Sequence, residues 1–257
     1  MSEPTPAPLI EARDLRLRLG ETPVLDGLTL RVEPGEFVAL VGPSGCGKST
    51  LLSVLAGLLE PASGAVLIDS LPSPARLGGL TLMPQSDALM PWRTVLDNVL
   101  VAPLLAGADR QEATVLARRT LTRFGLAGFE DHYPHALSGG MRQRVALART
   151  LLGAGRAWLL DEPFGALDAL TRADLRTVLA EAWERERPTT LLVTHDLDEA
   201  ALLADRILVC GPRPARVVSE IRVSLPRPRG IDDTLRPGFV ALRAEVLGAL
   251  RSAGAIA

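Results

Sequence analysis

The chain has 257 residues, of which 47% are hydrophobic, and its formal net charge is −2. It can therefore bury a sizeable core, and its balanced, interspersed charges argue against a nucleic-acid-binding protein. No stretch approaches 18 uninterrupted apolar residues, and residues 2–8 lack the pattern of a signal peptide. Cys46 and Cys210 are the only cysteines, so a disulfide framework is not expected and a reducing cytosol fits.

The first predicted elements are β-strands. Residues from about 9 to 41, together with residues 65–69, alternate between apolar and polar side chains as antiparallel strands do. They predict a small antiparallel sheet beside the main core. Within this region, residues 36–41 form a continuous apolar run that is typical of a buried strand.

A glycine-rich loop follows this run and precedes a predicted helix over residues 49–57. Its G-x-x-x-x-G-K-[ST] pattern places backbone N–H groups and an ammonium around phosphate oxygens at a helix N-terminus. Lys48 in this loop is the only lysine of the chain. A glycine-rich turn without a ligand is the alternative. The predicted phosphate site comprises Gly42, Pro43, Ser44, Gly45, Cys46, Gly47, Lys48, Ser49 and Thr50.

The next segment reads as a short strand followed by helices. The strand, residues 80–84, leads to Gln85, which could reach a metal ion or an attacking water but alone would be an ordinary loop glutamine. Helices over residues 94–105, broken near Pro103, and over residues 110–124, ended at Gly125, predict an inserted helical lobe.

An apolar loop lies just after Gln85. Residues 89–92, which end in Trp92, carry bulky apolar side chains in a loop, where soluble proteins normally avoid them. This pattern predicts a docking surface for another protein. The alternative is that Trp92 packs on the core of the helical lobe.

A second candidate anion site opens the helix that begins near Ser138. Ser138, Gly139 and Gly140 precede apolar residues at helical spacing, and they leave the first N–H groups of the helix free for an anion. Serine and glycine are also common N-cap residues that need no ligand.

Two carboxylates follow a short apolar strand over residues 158–160. Asp161 could hold Mg²⁺, usually through water, opposite Ser49, and Glu162 could orient or deprotonate an attacking water. An acidic turn after a core strand is the alternative. With the lysine loop in the same chain, the functional interpretation is favoured.

His195 follows a buried strand over residues 191–194. Asp196 and Glu199 have the spacing of a capping box, so the next helix needs no cap from His195. A histidine at the carboxyl end of a strand in an open α/β sheet is well placed to donate to a phosphate. A structural histidine is the alternative.

The last segment begins after Gly211. It is rich in proline and arginine up to residue 237 and ends in a predicted helix from about Phe239 to Ser252. A solvated edge is expected for its arginines, which are Arg213, Arg216, Arg227 and Arg229.

These motifs, in this order, resemble the ATP-binding subunit of an ABC transporter over nearly the full chain. The similarity covers Walker A (42–49), the Q-loop glutamine (Gln85), the signature motif (137–141), Walker B (158–161), the catalytic glutamate (Glu162), the D-loop (166–168, with Asp168) and the switch histidine (His195). One departure is Leu19, which stands where the family usually places an aromatic residue against adenine. Losing that stack would cost on the order of 1–3 kcal/mol of affinity.

The resemblance implies an α/β P-loop NTPase fold with a RecA-like core, an antiparallel β subdomain and an inserted helical subdomain. It places the ATP-binding domain at residues 9–210, with the helical lobe at about 86–150, and a C-terminal tail at residues 211–257. It also implies a head-to-tail homodimer that holds two ATP molecules with Mg²⁺, each between one subunit's Walker A and the other's signature helix.

Three classes of function are compatible with a phosphate-binding loop. A P-loop kinase or GTPase has no use for the Ser138 helix, and relatives that act on ribosomes or DNA generally carry two ATPase units or a long coiled coil. An importer ATPase, peripheral at the cytoplasmic face of the membrane, fits best. It would need membrane permease subunits, contacted through the Gln85 loop and the Trp92 region, and indirectly a solute-binding protein. Residues 87–99, 164–172, 213–214 and 226–229 are similar to the nitrate/sulfonate/taurine group, which includes importers of thiamine precursors.

Overall fold

The computed structural model describes residues 7–72, 79–153, 155–165 and 167–255. Most of the predicted N-terminal segment, residues 2–6, and Ala166 of the predicted D-loop lie outside these ranges. Within them the strands are β1 (Ile10–Leu19), β2 (Thr22–Val32), β3 (Phe37–Val41), β4 (Ser63–Ile68), β5 (Leu71–Pro72), β6 (Leu80–Met83), β7 (Ala157–Asp161), β8 (Thr189–Thr194), β9 (Arg206–Cys210) and β10 (Val217–Arg222). The α-helices are α1 (Lys48–Leu55), α2 (Val95–Leu105), α3 (Arg110–Arg123), α4 (Gly139–Leu151), α5 (Ala169–Glu186), α6 (Leu197–Leu203) and α7 (Pro237–Ser252).

Two sheets organise the fold. The smaller sheet has the order β2-β1-β4-β5 and is antiparallel, as predicted. The larger sheet has the order β10-β9-β3-β8-β7-β6, and all of its neighbours are parallel except β10 and β9. The prediction was wrong in extending the small sheet to residue 41, because β3 belongs to the larger one. All five residues of β3 are buried, which requires cover on both faces of the sheet.

The larger sheet is covered on both faces. Phe37, Ala39 and Val41 pack with the lobe helices and with α5–α7 on one face, whereas Val38 and Leu40 pack with α1 and the small sheet on the other. This alternation follows from the two-residue repeat of a strand. Because β3, β6, β7 and β8 are parallel, their carboxyl ends lie on the same side of the sheet, and the loops after them emerge there.

The helical lobe consists of α2, α3 and α4. Thr94 caps α2, and Gly125, with φ of +67°, follows the end of α3. The predicted break near Pro103 is wrong, because α2 continues to Leu105. Pro103 lies in the last turn, where the loss of its N–H removes one hydrogen bond and the helix ends two residues later.

The C-terminal segment is part of the packed structure. The predicted final helix is confirmed as α7, whereas β10, which extends the larger sheet, was not predicted. The expectation that the arginines of this segment lie on a solvated edge was also wrong for Arg227 and Arg229. Arg227 stacks 4.3 Å from the Trp183 ring and donates to Asp205 at 2.8 Å, and Arg229 donates to the Ala204 carbonyl at 2.6 Å.

No α-helix within the described ranges is both long and apolar enough to cross a bilayer.

Candidate functional site

A cleft of about 220 Å³ lies at the edge where the parallel strands end. It brings together the glycine loop after β3, the glutamine after β6, the glutamate after β7 and the histidine after β8. This edge is where open α/β sheets bind their ligands. The residues that line the cleft are Ser44, Gly45, Gly47, Lys48, Ser49, Thr50, Gln85, Glu162, His195 and Arg213.

Glycine is needed at two positions of the loop for different reasons. Gly47 has φ of +128°, and a Cβ there would lie 2.9 Å from the Val24 carbonyl oxygen. Gly42 has an ordinary φ, but a Cβ there would lie 2.8 Å from the carbonyl oxygen of Cys210. The loop is therefore packed tightly between β2 and the end of β9, which fixes its backbone N–H groups ahead of α1.

Lys48 folds back over the start of the loop. Its ammonium donates to the carbonyl oxygens of Gly42 at 2.8 Å and Pro43 at 2.9 Å, and the residue is only 5% exposed. These two hydrogen bonds hold the buried charge beside the cleft, where an ammonium can pair with phosphate oxygens.

The acidic residue at the end of β7 has the properties of a metal ligand. Asp161 is 4% exposed, and its Oδ1 atom has no hydrogen-bond partner among the described residues. Burial raises the pKa of this carboxyl, whereas a hydrogen bond with the Ser49 hydroxyl acts to lower it. A buried, unpaired carboxylate oxygen beside a hydroxyl suits a hard cation such as Mg²⁺. Ser49 and Gln85 line the cleft, whereas Asp161 lies behind its lining.

Glu162 and His195 lie side by side. The Nδ1 atom of His195 is 3.2 Å from Oε1 of Glu162. The backbone of Glu162 has φ of +47°, an unusual conformation for a residue other than glycine, and its N–H donates to the Val193 carbonyl at 2.9 Å. Such strained backbone is concentrated at functional sites, and here it directs the carboxylate into the cleft.

The loop after Gln85 is fastened to α4. Arg142 Nε donates to Asp87 at 2.8 Å, and Arg149 donates to the backbone carbonyls of Asp87 and Ala88 at 2.9 and 2.8 Å. Helix α4 is therefore linked by three hydrogen bonds to the loop that follows Gln85.

Asn98 holds the apolar part of this loop. Its side chain is fully buried, accepts from the Met90 N–H at 2.8 Å and donates to the Met90 carbonyl at 3.1 Å. Trp92 is left 73% exposed, whereas Leu89 is buried in the core, so the expectation of exposed apolar bulk was wrong for Leu89. The high exposure of Trp92 also disfavours its packing on the lobe's own core.

Three predicted site residues on α4 do not line the cleft. Ser138 and Gly139 are exposed and Gly140 is half-buried, and the described residues around the cleft include none of them. Ser138 caps its own helix, because its hydroxyl accepts from the Met141 N–H at 3.2 Å. The helix end is thus both capped and open to a second molecule.

Asp168 and Leu19 also lie outside the cleft lining. Asp168 caps α5 by accepting from the Thr171 N–H at 3.1 Å, and this hydrogen bond lowers the pKa of the carboxyl. Leu19 is 50% exposed at the end of β1.

Arg213, which was expected on a solvated edge and not at a binding site, also lines the cleft. Its Nε–H donates to the Gly45 carbonyl at 2.9 Å. A proline follows it, and the neighbouring Ala215 donates its N–H to Val24 at 2.8 Å, so the segment after β9 is fastened to β2 beside the loop. The contact between Ala215 and Val24 joins residues nearly 200 positions apart. Patterns among neighbouring residues in the sequence do not predict such a contact.

The predicted capping box at Asp196 is only half formed. Asp196 accepts from the Asp198 and Glu199 N–H groups, but Glu199 does not return the bond. Its carboxylate instead accepts from the Thr194 hydroxyl at 2.6 Å, and the same hydroxyl accepts from the Asp196 N–H at 3.0 Å. Glu199 thereby supports the turn that carries His195.

The stability of the chain should depend on pH through Glu199. Burial raises its pKa from 4.5 to about 7, with Thr194, Arg172 and Arg176 opposing the shift and Asp196 adding to it. The folded state therefore holds this proton more tightly, and the free energy of unfolding should fall as pH rises from about 4.5 to about 7, by up to about 3 kcal/mol. Urea unfolding at several pH values should show this slope in the wild type and lose it in Glu199→Gln. An unchanged slope in that variant would contradict the assignment.

Comparisons with known proteins show that this chain belongs to the ABC transporter family. Residues 25–165 match the family model described as ABC transporter. The chain is 46% identical to the aliphatic sulfonates import ATP-binding protein SsuB 2 of Rhizobium johnstonii, covering 94% of this chain and 90% of that protein. It is 40% identical to the taurine import ATP-binding protein TauB of Yersinia pestis, covering 88% and 91%. A putative ATP-binding protein of Brucella abortus is 44% identical, covering 93% and 92%.

Solved structures agree with the fold. A dimeric ATP-binding cassette in a post-hydrolysis state bound to ADP and Pi is 29% identical, with a TM-score of 0.75 over 84% of this chain and all of that one. Another, the ATP-binding subunit of an ABC transporter, is 26% identical, with a TM-score of 0.76 over 93% of this chain and 99% of that one. The predicted P-loop α/β fold is confirmed.

Proposed function

Because this chain belongs to the ABC transporter family as an ATP-binding subunit, we propose that it hydrolyses Mg-ATP to drive import of a small sulfonate-like solute through separate membrane subunits. The observation that carries the proposal is the convergence of Lys48, Gln85, Glu162 and His195 on one cleft. The names of the relatives, taurine and aliphatic sulfonate import proteins, support the solute class.

We assign the phosphate chemistry to this chain's own groups. The loop N–H groups and Lys48 hold the β- and γ-phosphates, and Glu162 acts as the general base on a water that His195 and Gln85 help to position. Ser49 and Asp161 would hold Mg²⁺, which when bound neutralises charge on the phosphates. The 3.2 Å separation of Glu162 Oε1 and His195 Nδ1 supports these two roles, because it allows both side chains to act on one phosphate and its attacking water.

A second copy of the chain completes the site in this proposal. Ser138, Gly139 and Gly140 present free N–H groups at the start of α4 but do not line their own chain's cleft. A head-to-tail homodimer places them on the partner's nucleotide, where a helix N-terminus stabilises the γ-phosphate. The dimeric state of the similar cassette supports this arrangement.

ATP-driven closure reaches the membrane subunits through the loop after Gln85. Arg142 and Arg149 join that loop to α4, so movement of α4 on the partner's nucleotide is passed to residues 87–92. A cleft of about 470 Å³ adjoins the loop at Arg149 and is lined by Leu82, Val101 and Leu105 among others. We propose that Trp92 and this cleft receive a cytoplasmic segment of the permease at the inner face of the membrane, with a solute-binding protein delivering the cargo outside.

Replacing Trp92 with aspartate should abolish co-purification with the permease. The indole is 73% exposed, so its loss removes apolar contact area at the interface and leaves a charge there to be desolvated. The isolated variant should remain folded and bind ATP as the wild type does. Leu235→Asp, which changes a residue that is 85% exposed in the C-terminal segment, is the matched control and should co-purify normally. A Trp92→Asp chain that still assembles, or one that unfolds, would contradict the docking role.

A further inference from the structure

The two cysteines of the chain meet beside the nucleotide cleft. Cys46 lies in the glycine loop and Cys210 is the last residue of β9, and their Sγ atoms are 3.7 Å apart although the residues are separated by 164 positions. Both side chains are buried. The ATPase mechanism assigns no role to either thiol.

The two sulfur atoms are already near bonding distance. Cys210 packs against the loop at a second point, because a Cβ on Gly42 would lie 2.9 Å from the Cys210 Cβ. The sulfurs of a disulfide are about 2.0 Å apart, so the two Sγ atoms need to approach by only about 1.7 Å. Because the loop that carries Cys46 is packed tightly between β2 and β9, an approach of this size would shift the loop itself.

The electrostatic environment shifts the pKa values of the two thiols in opposite directions. The side-chain contact with Cys210 and the charge of Lys48, whose Nζ is 4.0 Å from Cys46 Sγ, lower the pKa of Cys46. The same contact and burial raise the pKa of Cys210. Cys46 therefore ionises more readily than Cys210, and the thiolate is the form of cysteine that reacts with oxidants.

We propose that Cys46 and Cys210 form a reversible intrachain disulfide when the chain meets a peroxide, and that this disulfide prevents nucleotide binding. The Cys46 thiolate attacks one oxygen of hydrogen peroxide, which breaks the O–O bond, releases hydroxide and leaves a sulfenic acid. The Cys210 sulfur then attacks the Cys46 sulfur, and the S–O bond breaks as water leaves with the thiol proton. In total, two thiols and one peroxide give one disulfide and two waters, and an external dithiol reverses the reaction by thiol–disulfide exchange.

Two consequences follow from the position of the pair. The disulfide draws Cys46 toward β9 and changes the direction of the N–H groups beside it, and it removes the thiolate that faces the Lys48 ammonium. Bound Mg-ATP holds the loop and Lys48 in the phosphate-binding arrangement, so it should slow the oxidation. Oxidation and nucleotide therefore compete for the same loop.

The test treats the purified chain with hydrogen peroxide, with and without Mg-ATP, and uses Cys210→Ala as the matched variant. In the wild type, both thiols should disappear together, the intact mass should fall by two hydrogens, and a peptide linking Cys46 to Cys210 should appear. The Kd for ATP should rise by at least tenfold and return to its starting value with dithiothreitol. Mg-ATP should slow all of these changes.

Unoxidised Cys210→Ala should bind and hydrolyse ATP normally, and after peroxide its Cys46 should be captured by dimedone as a sulfenic acid. Free thiols that persist in the wild type, a disulfide between chains, or a linked peptide with unchanged ATP affinity would each overturn the proposal. Because thiol content and ATP binding are measured on the isolated chain, a failure here is distinct from a failure of the import role.

Discussion

Replacing Glu162 with glutamine should lower ATP turnover by at least about 100-fold while leaving ATP binding intact, as expected for loss of a general base. Glutamine has nearly the same shape and can keep the contact with His195 Nδ1, which is 3.2 Å away in the wild type. It cannot accept a proton from water at neutral pH. The phosphate loop, Lys48 and Asp161 are untouched, so the nucleotide should bind and remain unhydrolysed.

The measurement combines ATP retention with phosphate release on the purified variant. Because ATP is not consumed, the variant should also accumulate as a dimer when Mg-ATP is added, which size-exclusion chromatography detects. Glu186→Gln, at the exposed end of α5, is the matched control and should turn over ATP normally. Near-normal phosphate release by Glu162→Gln would remove Glu162 from the proposed mechanism.

The nucleotide cleft was largely predictable because its determinants are local. A buried strand, a glycine loop and a helix are consecutive in the chain, so Gly47 and Lys48 are recognisable from their neighbours alone. Glu162 and His195 directly follow buried strands, Gln85 follows another strand after a single residue, and the carboxyl ends of parallel strands lie on the same side of a sheet. Their convergence on one cleft therefore follows from where each residue stands relative to its own strand.

Features that depend on distant partners were missed. Strand β10 pairs with β9, and Arg227 is half-buried because Trp183 and Asp205 lie beside it. In the sequence this segment shows only its prolines and arginines. Similarly, Leu89 and Trp92 belong to one apolar loop, and they differ in burial because the Asn98 side chain holds Met90 and turns the loop at that point.

The residues at the start of α4 have two compatible roles. Sequence reasoning left open whether Ser138 caps its helix or serves an anion, and the structure shows the capping bond. The anion role needs a second copy of the chain. That role remains a prediction that the dimerisation of Glu162→Gln addresses.

Lys48 allows the central claim to be tested with one reagent. Because it is the only lysine, an amine-acylating reagent has two targets in this chain, the N-terminus and Lys48. Lys48 is 5% exposed and bonded to the carbonyls of Gly42 and Pro43, so it should react more slowly than the N-terminus. Mg-ATP should slow it further, because the ammonium would pair with the β- and γ-phosphates.

The decisive measurement is therefore the extent of Lys48 acylation, quantified by peptide mass spectrometry beside ATPase activity, with and without Mg-ATP. Activity should fall to zero in step with Lys48 modification, nucleotide should protect both, and acylation of the N-terminus should be the same in the two conditions. Full acylation of Lys48 with continued hydrolysis, or equal rates of labelling with and without Mg-ATP, would contradict a phosphate site at Lys48 and the function proposed on it.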